Sequence, residues 1–192
     1  MANIKVSLLG TGGVGKTSIK QVFSGHPMTL DYSATLGTDF TLKDYTYTEG
    51  EISENMRFMI YDLAGQDRFK AGRSSFIAGS HAGILVYDVA NRTSLEVIPK
   101  WLEDFKKVVK ANVPIVLVGN KIDLRDGSSE FLSTQDGLRM SEKLQKMIGF
   151  GSENKFYFIE TSALENLNIN DIFDYISAEI YHMFLKGNRV KV

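Results

Sequence analysis

Two kinds of apolar pattern alternate along the chain. Residues 83–88 (Gly-Ile-Leu-Val-Tyr-Asp) and 114–119 (Pro-Ile-Val-Leu-Val-Gly) are nearly continuous apolar runs, as expected of strands buried on both faces. Residues 4–9 and 156–161 also read as strands. Residues 39–46 and 56–63 flank the polar turn Thr48-Glu49-Gly50-Glu51, which predicts a hairpin.

Between the strands the period changes to that of a helix. Ile19, Val22 and Phe23 share one face of a segment over 16–23. Leu95, Ile98, Leu102, Phe105 and Val109 step by three and four. Pro99 lies early in that segment, where it marks a restart rather than a break. Leu138, Leu144, Met147 and Ile148 follow a cap at Ser133 or Thr134, and Ile169, Ile172, Phe173, Ile176, Ile180 and Met183 form the most regular stripe. Six strands and about five helices in alternation predict an α/β fold. Its six-stranded sheet is mostly parallel, with one antiparallel edge strand, and helices cover both faces. Ligands bind such sheets at the carboxyl ends of the strands, so the chemistry is sought there.

Composition narrows the class. The 192 residues carry 22 Lys+Arg against 23 Asp+Glu, a formal net charge of −1, which argues against general nucleic-acid binding. With no cysteine, disulfides, thiolate metal sites and thiol catalysis are excluded. No apolar run approaches the ~18 residues of a membrane span, and Ala2 stands where myristoylation would require glycine. A soluble, cytoplasmic, monomeric protein is expected, with one domain over residues 1–186 and a short tail over 187–192.

The first strand runs into Gly10-Thr11-Gly12-Gly13-Val14-Gly15-Lys16-Thr17, and a helix follows. This is the G-x-x-x-x-G-K-[ST] phosphate-binding loop in its required strand–loop–helix setting. Its glycines let the N–H groups of residues 12–15 turn inward around a phosphate, and the helix adds its positive end. Lys16 would reach the β- and γ-phosphates, and the Thr17 hydroxyl would coordinate Mg²⁺. The strand over 114–119 ends in Asn120-Lys121-Ile122-Asp123. The Asp123 carboxylate can accept from N1–H and N2–H₂ of guanine, donors that adenine does not present there. Alone, this tetrapeptide would also serve as a polar turn; paired with the phosphate loop, it points to guanine.

With Asp62-Leu63-Ala64-Gly65-Gln66-Asp67 and Glu160-Thr161-Ser162-Ala163 at two further strand ends, the chain resembles a Ras-superfamily small GTPase, a P-loop NTPase. Within that superfamily it is most similar to Rab, through Tyr32-Ser33-Ala34-Thr35-Leu36-Gly37-Thr38-Asp39-Phe40, Gly65-Gln66-Asp67-Arg68-Phe69 and Ile84-Leu85-Val86-Tyr87-Asp88-Val89. The resemblance implies Mg²⁺ and GTP or GDP as ligands. It implies that Thr35 binds Mg²⁺ through its hydroxyl and the γ-phosphate through its backbone, that Asp62 holds Mg²⁺ through water, and that the Gly65 N–H meets the γ-phosphate. Gln66 would orient the attacking water, with Lys16, Thr35 and Gly65 completing the catalytic set. Ser18 would reach the α-phosphate, Tyr32 would close over the phosphates, Lys121 would pack along the base, and the Ser162–Ala163 backbone would bind guanine O6.

Exchange factors, GTPase-activating proteins and effectors are implied as partners. Phe40, Tyr61 and Phe76 match the aromatic triad of the Rab effector surface. Taken as residues, the three could equally be core or sheet-face aromatics. Leu63 and Asp67 replace the usual Thr and Glu, neither of which carries a group assigned to chemistry. The stretch His26-Pro27-Met28-Thr29-Leu30 holds no aromatic, leaving Met28 as the candidate to stack on guanine. No Arg lies near Thr35 to act as a finger within the chain. The resemblance also implies membrane traffic, yet the last residues contain no cysteine for a prenyl group. Either the natural tail has been trimmed, or the protein works without a prenyl anchor and any peripheral membrane location comes through partners. A GTP-hydrolysing switch is the leading reading; Gln66, Thr35 and Asp62 together count against a constitutive nucleotide-binding scaffold, and residues 120–123 disfavour an ATP-dependent kinase.

Overall fold

The computed structural model describes residues 1–26, 38–63, 70–128, 130–148 and 156–185. Six strands form one sheet: β1 (Ala2–Leu9), β2 (Thr38–Glu49), β3 (Ile52–Leu63), β4 (Ala82–Asp88), β5 (Ile115–Asn120) and β6 (Tyr157–Thr161). Their order across the sheet is β2-β3-β1-β4-β5-β6. Only the edge pair β2–β3 is antiparallel; the other pairs are parallel. Five helices of eight or more residues are described: α1 (Lys16–Phe23), α2 (Lys70–Ile77), α4 (Ile98–Val108), α5 (Thr134–Met147) and α6 (Ile169–Ile180). A five-residue α3 (Arg92–Glu96) precedes α4, and Pro99 in the first turn of α4 marks the restart.

Alternation along the strands divides the core in two. Ile4, Val6 and Leu8 of β1, with Phe58 and Ile60 of β3, face α1 and α6. Leu9, Leu85, Tyr87 and Leu117 face the opposite layer, where Ile77, Leu102, Phe105 and Leu144 close the core. Each such fully buried side chain contributes about 1.5–3 kcal/mol. The α1–α6 contact includes Phe23 stacked face to face on Phe173. On the other side, the Arg73 guanidinium of α2 lies 4.3 Å over the Trp101 ring of α4.

Three sequence expectations shift. The hairpin strands run twelve residues each, with Glu49 opposite Ile52, so the turn shrinks to Gly50 and Glu51. Gly50 has φ 58, as the first position of a two-residue II′ turn requires. In α5 the buried residues are Gly137 and Leu144, while Leu138 and Met147 are exposed. A Cβ on Gly137 would stand 2.2 Å from Phe158 and 2.5 Å from the Tyr87 hydroxyl, so the helix docks through the residue with no side chain. Met183 likewise falls past the end of α6, exposed in a π-helical turn at Tyr181–Leu185.

The hairpin is fastened to this C-terminal helix at its turn end. Tyr45 donates to Asp174, Tyr47 lies beside Tyr181 with ring centroids 5.7 Å apart, and Glu49 Oε2 is 3.2 Å from His182 Nε2.

Candidate functional site

Because β1, β3, β4, β5 and β6 run parallel, their carboxyl ends share one edge of the sheet. That edge gathers residues 10–17, Asp62, residues 120–123 and residues 161–163. Asp88, Asn120 and Thr161 sit side by side in register across β4, β5 and β6. Tyr32, Thr35, Gly65, Gln66, Met28 and residues 187–192 lie outside the described residues.

The loop after β1 bends through Gly10, Gly13 and Gly15, with φ of 145, 81 and 96. Gly10 is pressed against the Val86 carbonyl, 2.3 Å from where a Cβ would be, so no other residue fits there. Lys16 is buried, its Nζ donating to the carbonyls of Gly10 at 2.8 Å and Thr11 at 2.7 Å. Burial brings its pKa down to about 8, opposed by the Asp62 carboxylate and reinforced by Arg73. A phosphate beside this ammonium would relieve the cost of burying it. Ser18 is half-buried in the first turn of α1.

Asp62, at the end of β3, is fully buried. Its Oδ2 accepts from the Thr17 hydroxyl, while Oδ1 is buried and makes no hydrogen bond among the described residues. Burial pushes its pKa up, against the pull of Thr17, Lys16 and Lys20. A carboxylate oxygen so placed, with a hydroxyl oxygen beside it, fits the hard-oxygen donor set of Mg²⁺, which is commonly completed by water and substrate phosphates. Among the described residues no cluster of three His, Cys, Asp or Glu could hold a metal by itself.

Asn120 is 1% exposed. Its Nδ2 donates to the Val14 carbonyl at 2.9 Å, and its Oδ1 accepts from Thr161 Oγ1 at 3.0 Å and the Ala163 N–H at 3.2 Å. A Cβ on Gly15 would lie 2.2 Å from Asn120 Nδ2, so the two must remain together. Lys121 adopts left-handed φ 68, a conformation that costs a non-glycine residue about 1–2 kcal/mol, and its Nζ is held 2.7 Å from Asp88 Oδ2. Asp123 follows in a 3-10 turn (Ile122–Leu124), its Oδ1 accepting from Ser162 Oγ at 2.5 Å. The sequence assigns only the backbone of Ser162; its hydroxyl orients the aspartate.

A bidentate pair, Arg125 to Glu160 at 2.5 and 3.0 Å, fastens this region to the end of β6. Thr134 at the start of α5 also donates to Glu160, at 2.8 Å. The pairings of Asp88, Arg125, Thr134 and Glu160 around this region are not legible in the sequence, although Asp88, Thr134 and Glu160 lie in segments it names. Each pairs with a residue of another element, so no local spacing signals it.

Of the aromatic triad, Phe40 and Tyr61 are direct cross-strand partners with stacked rings 5.6 Å apart. Lys5 Nζ lies 4.6 Å from the centre of the Tyr61 ring. Phe40 and Phe76 are 57% and 40% exposed, which excludes them from the core.

Comparison with known proteins agrees with this geometry. The Ras family model matches residues 5–182. The chain belongs to the Ras family. As a Ras-family small GTPase it is 33% identical to Ras-related protein Rab11D of Nicotiana tabacum over 96% of its own length and 76% of that protein. It is 34% identical to Ras-related protein RABA1g of Arabidopsis thaliana, over 95% of this chain and 76% of the other. With Ras-related protein RabC of Dictyostelium discoideum it shares 34% identity over 92% and 83% of the two chains. These Rab-named Ras-family relatives agree with the Rab-like segments in the sequence. No described helix is long and apolar enough to cross a membrane.

Proposed function

We propose that residues 1–186 bind GTP and GDP with Mg²⁺, hydrolyse GTP slowly, and act as a molecular switch. The observation that carries this reading is the single hydrogen-bonded assembly at one sheet edge, where the phosphate loop, Asn120 and Asp123 are joined through Val14, Ala163 and Ser162. The N–H groups of residues 12–15, with Lys16 and Ser18, hold the phosphates. Asp123 reads guanine, Lys121 flanks it, and the Ser162–Ala163 backbone takes O6. Thr17, Asp62 and Thr35 hold Mg²⁺, which neutralises charge developing on the phosphates. Gln66 orients water for in-line attack, and Tyr32 and Gly65 close the γ-phosphate side.

The switch follows from the γ-phosphate. Two charge-assisted hydrogen bonds to it, from Thr35 and Gly65, supply roughly 3–6 kcal/mol, and reversing a 1:99 equilibrium needs ~5.5 kcal/mol. At the upper end of that range, losing the phosphate is just enough to release residues near 30–40 and 62–78. Effectors read the change through Phe40, Tyr61 and Phe76, while exchange factors and GTPase-activating proteins set its timing. In the Ras class, intrinsic turnover is near 10⁻⁴–10⁻³ s⁻¹ and rises ~10⁵-fold with a partner's arginine.

The test is to load purified protein with GTP and identify the bound nucleotide over time after denaturation. Conversion to GDP is expected, slowed about tenfold or more by Gln66→Leu. GTP recovered unchanged would make the chain a constitutive binding module, and no guanine nucleotide would overturn the reading.

A further inference from the structure

Lys20 stands on α1 three residues after Thr17 and four after Lys16, spacings that place the three on neighbouring parts of one helix face. It is 3% exposed, and its ammonium pairs with Asp39 Oδ2. A lysine is almost never so deeply buried without a charged partner. Asp39, near the start of β2, lies directly opposite Asp62 in the antiparallel ladder. Directly opposed side chains share one face of the sheet with Cβ atoms about 4.5–5.5 Å apart, and like charges so placed repel. Lys20 pairs with Asp39 and so offsets this repulsion, and together with Lys16 its field favours the ionised form of Asp62.

The geometry points to a second role for this triad, resting on the Mg²⁺-nucleotide reading above. We infer that Lys20 is a built-in competitor of Mg²⁺ at Asp62, restrained by Asp39, so that the Lys20–Asp39 pair sets how much Mg²⁺ is needed to retain nucleotide. Two cations cannot both lie close to one buried carboxylate without mutual repulsion, which is strong where solvent is excluded. Asp39 draws the ammonium to the outer side of the pair and leaves Asp62 Oδ1 unbonded among the described residues. Loss of the Lys20 charge leaves two carboxylates for the metal. Loss of the Asp39 charge frees the ammonium for Asp62.

The experiment measures release of a fluorescent GDP from the full chain across a Mg²⁺ titration, with Mg²⁺ affinity of the GDP complex followed in parallel by calorimetry. Lys20→Met keeps most of the buried stem and removes the charge; it should lower the Mg²⁺ concentration for half-maximal retention by about tenfold. Asp39→Asn, at an exposed side chain, should raise that concentration by about tenfold. The double variant should return to within about threefold of the parent, since the two effects share one network. A merely structural role would move both single variants toward weaker retention, and that result, or no shift in either, overturns the inference while leaving the nucleotide reading intact. Release from the parent protein that is indifferent to chelation of Mg²⁺ would overturn both.

Discussion

The side-chain amide of Asn120 donates to the Val14 carbonyl at 2.9 Å, joining residues 106 positions apart. Through Oδ1 the same side chain holds Thr161 and Ala163. Asn120 therefore ties the phosphate loop to both loops assigned to the base, and the site is one mechanical unit.

Asn120→Ala removes three hydrogen bonds worth about 0.5–1.5 kcal/mol each and strands their buried partners. It should destabilise the protein by about 2–4 kcal/mol in urea unfolding and speed GDP release by about 10–100-fold. Faster release with unchanged unfolding would mean that Asn120 acts on the ligand alone.

Ser162→Ala leaves every backbone atom in place but frees Asp123, whose Oδ1 accepts the hydroxyl proton at 2.5 Å. Guanine nucleotide affinity should fall by roughly 10–100-fold, the value of one hydrogen bond to a charged group. Asp123→Asn should instead shift preference toward xanthine nucleotides by exchanging acceptor for donor. Competition assays with GTP and XTP separate the two effects.

Gly137→Ala tests the docking of α5. Helix propensity alone favours alanine by about 1 kcal/mol. The added methyl would stand 2.2 Å from the Phe158 ring, and overpacking costs about 1–3 kcal/mol. Net destabilisation by denaturant titration is expected; a gain in stability would show that α5 shifts freely on the sheet.

The α5 cap gives a pH signature. Ser133 and Asp136 form a capping box, and hydrogen bonds from the Ser133 hydroxyl and N–H to the Asp136 carboxylate hold its pKa below the ordinary aspartate value. Its unfolded value is about 3.9. The folded value is lower, so the contribution is complete above that pH and disappears as pH falls through the folded value. Parent and Asp136→Ala melting temperatures, measured from neutral pH downward, should therefore differ most near neutrality and converge in acid. A constant gap would remove the carboxylate charge from the cap.

How much the sequence discloses depends on where each signal resides. β4 and β5 are legible because burial on both faces leaves uninterrupted apolar runs, and the phosphate loop because its glycines and Lys16 are contiguous. The β2–β3 strands read short because their turn-side ends carry polar positions, Thr48 and Glu49 on one strand and Ser53, Glu54 and Asn55 on the other. The true face of α5 is hidden because a glycine, absent from any apolar stripe, makes its closest approach. Lys20 and Asp39, like Arg125 and Glu160, become partners only when the sheet brings their elements together. The Asn-Lys-Ile-Asp motif marks the loop proposed to bind the base but not the task of its first residue, which faces protein on both sides.

The β2–β3 hairpin is a cantilever with its fixed support far from the site. Tyr45, Tyr47 and Glu49 moor the turn end to Asp174, Tyr181 and His182, while Asp39 and Asp62 lie at the opposite end. The ladder between them pairs twelve residues of each strand, and a one-residue slip would turn every side chain to the wrong face. Sliding is closed to it. A displacement imposed at Asp39 must travel as flexure, largest beside the nucleotide site and smallest where the hairpin meets the C-terminal helix, so any partner that senses it does best to grip near Phe40.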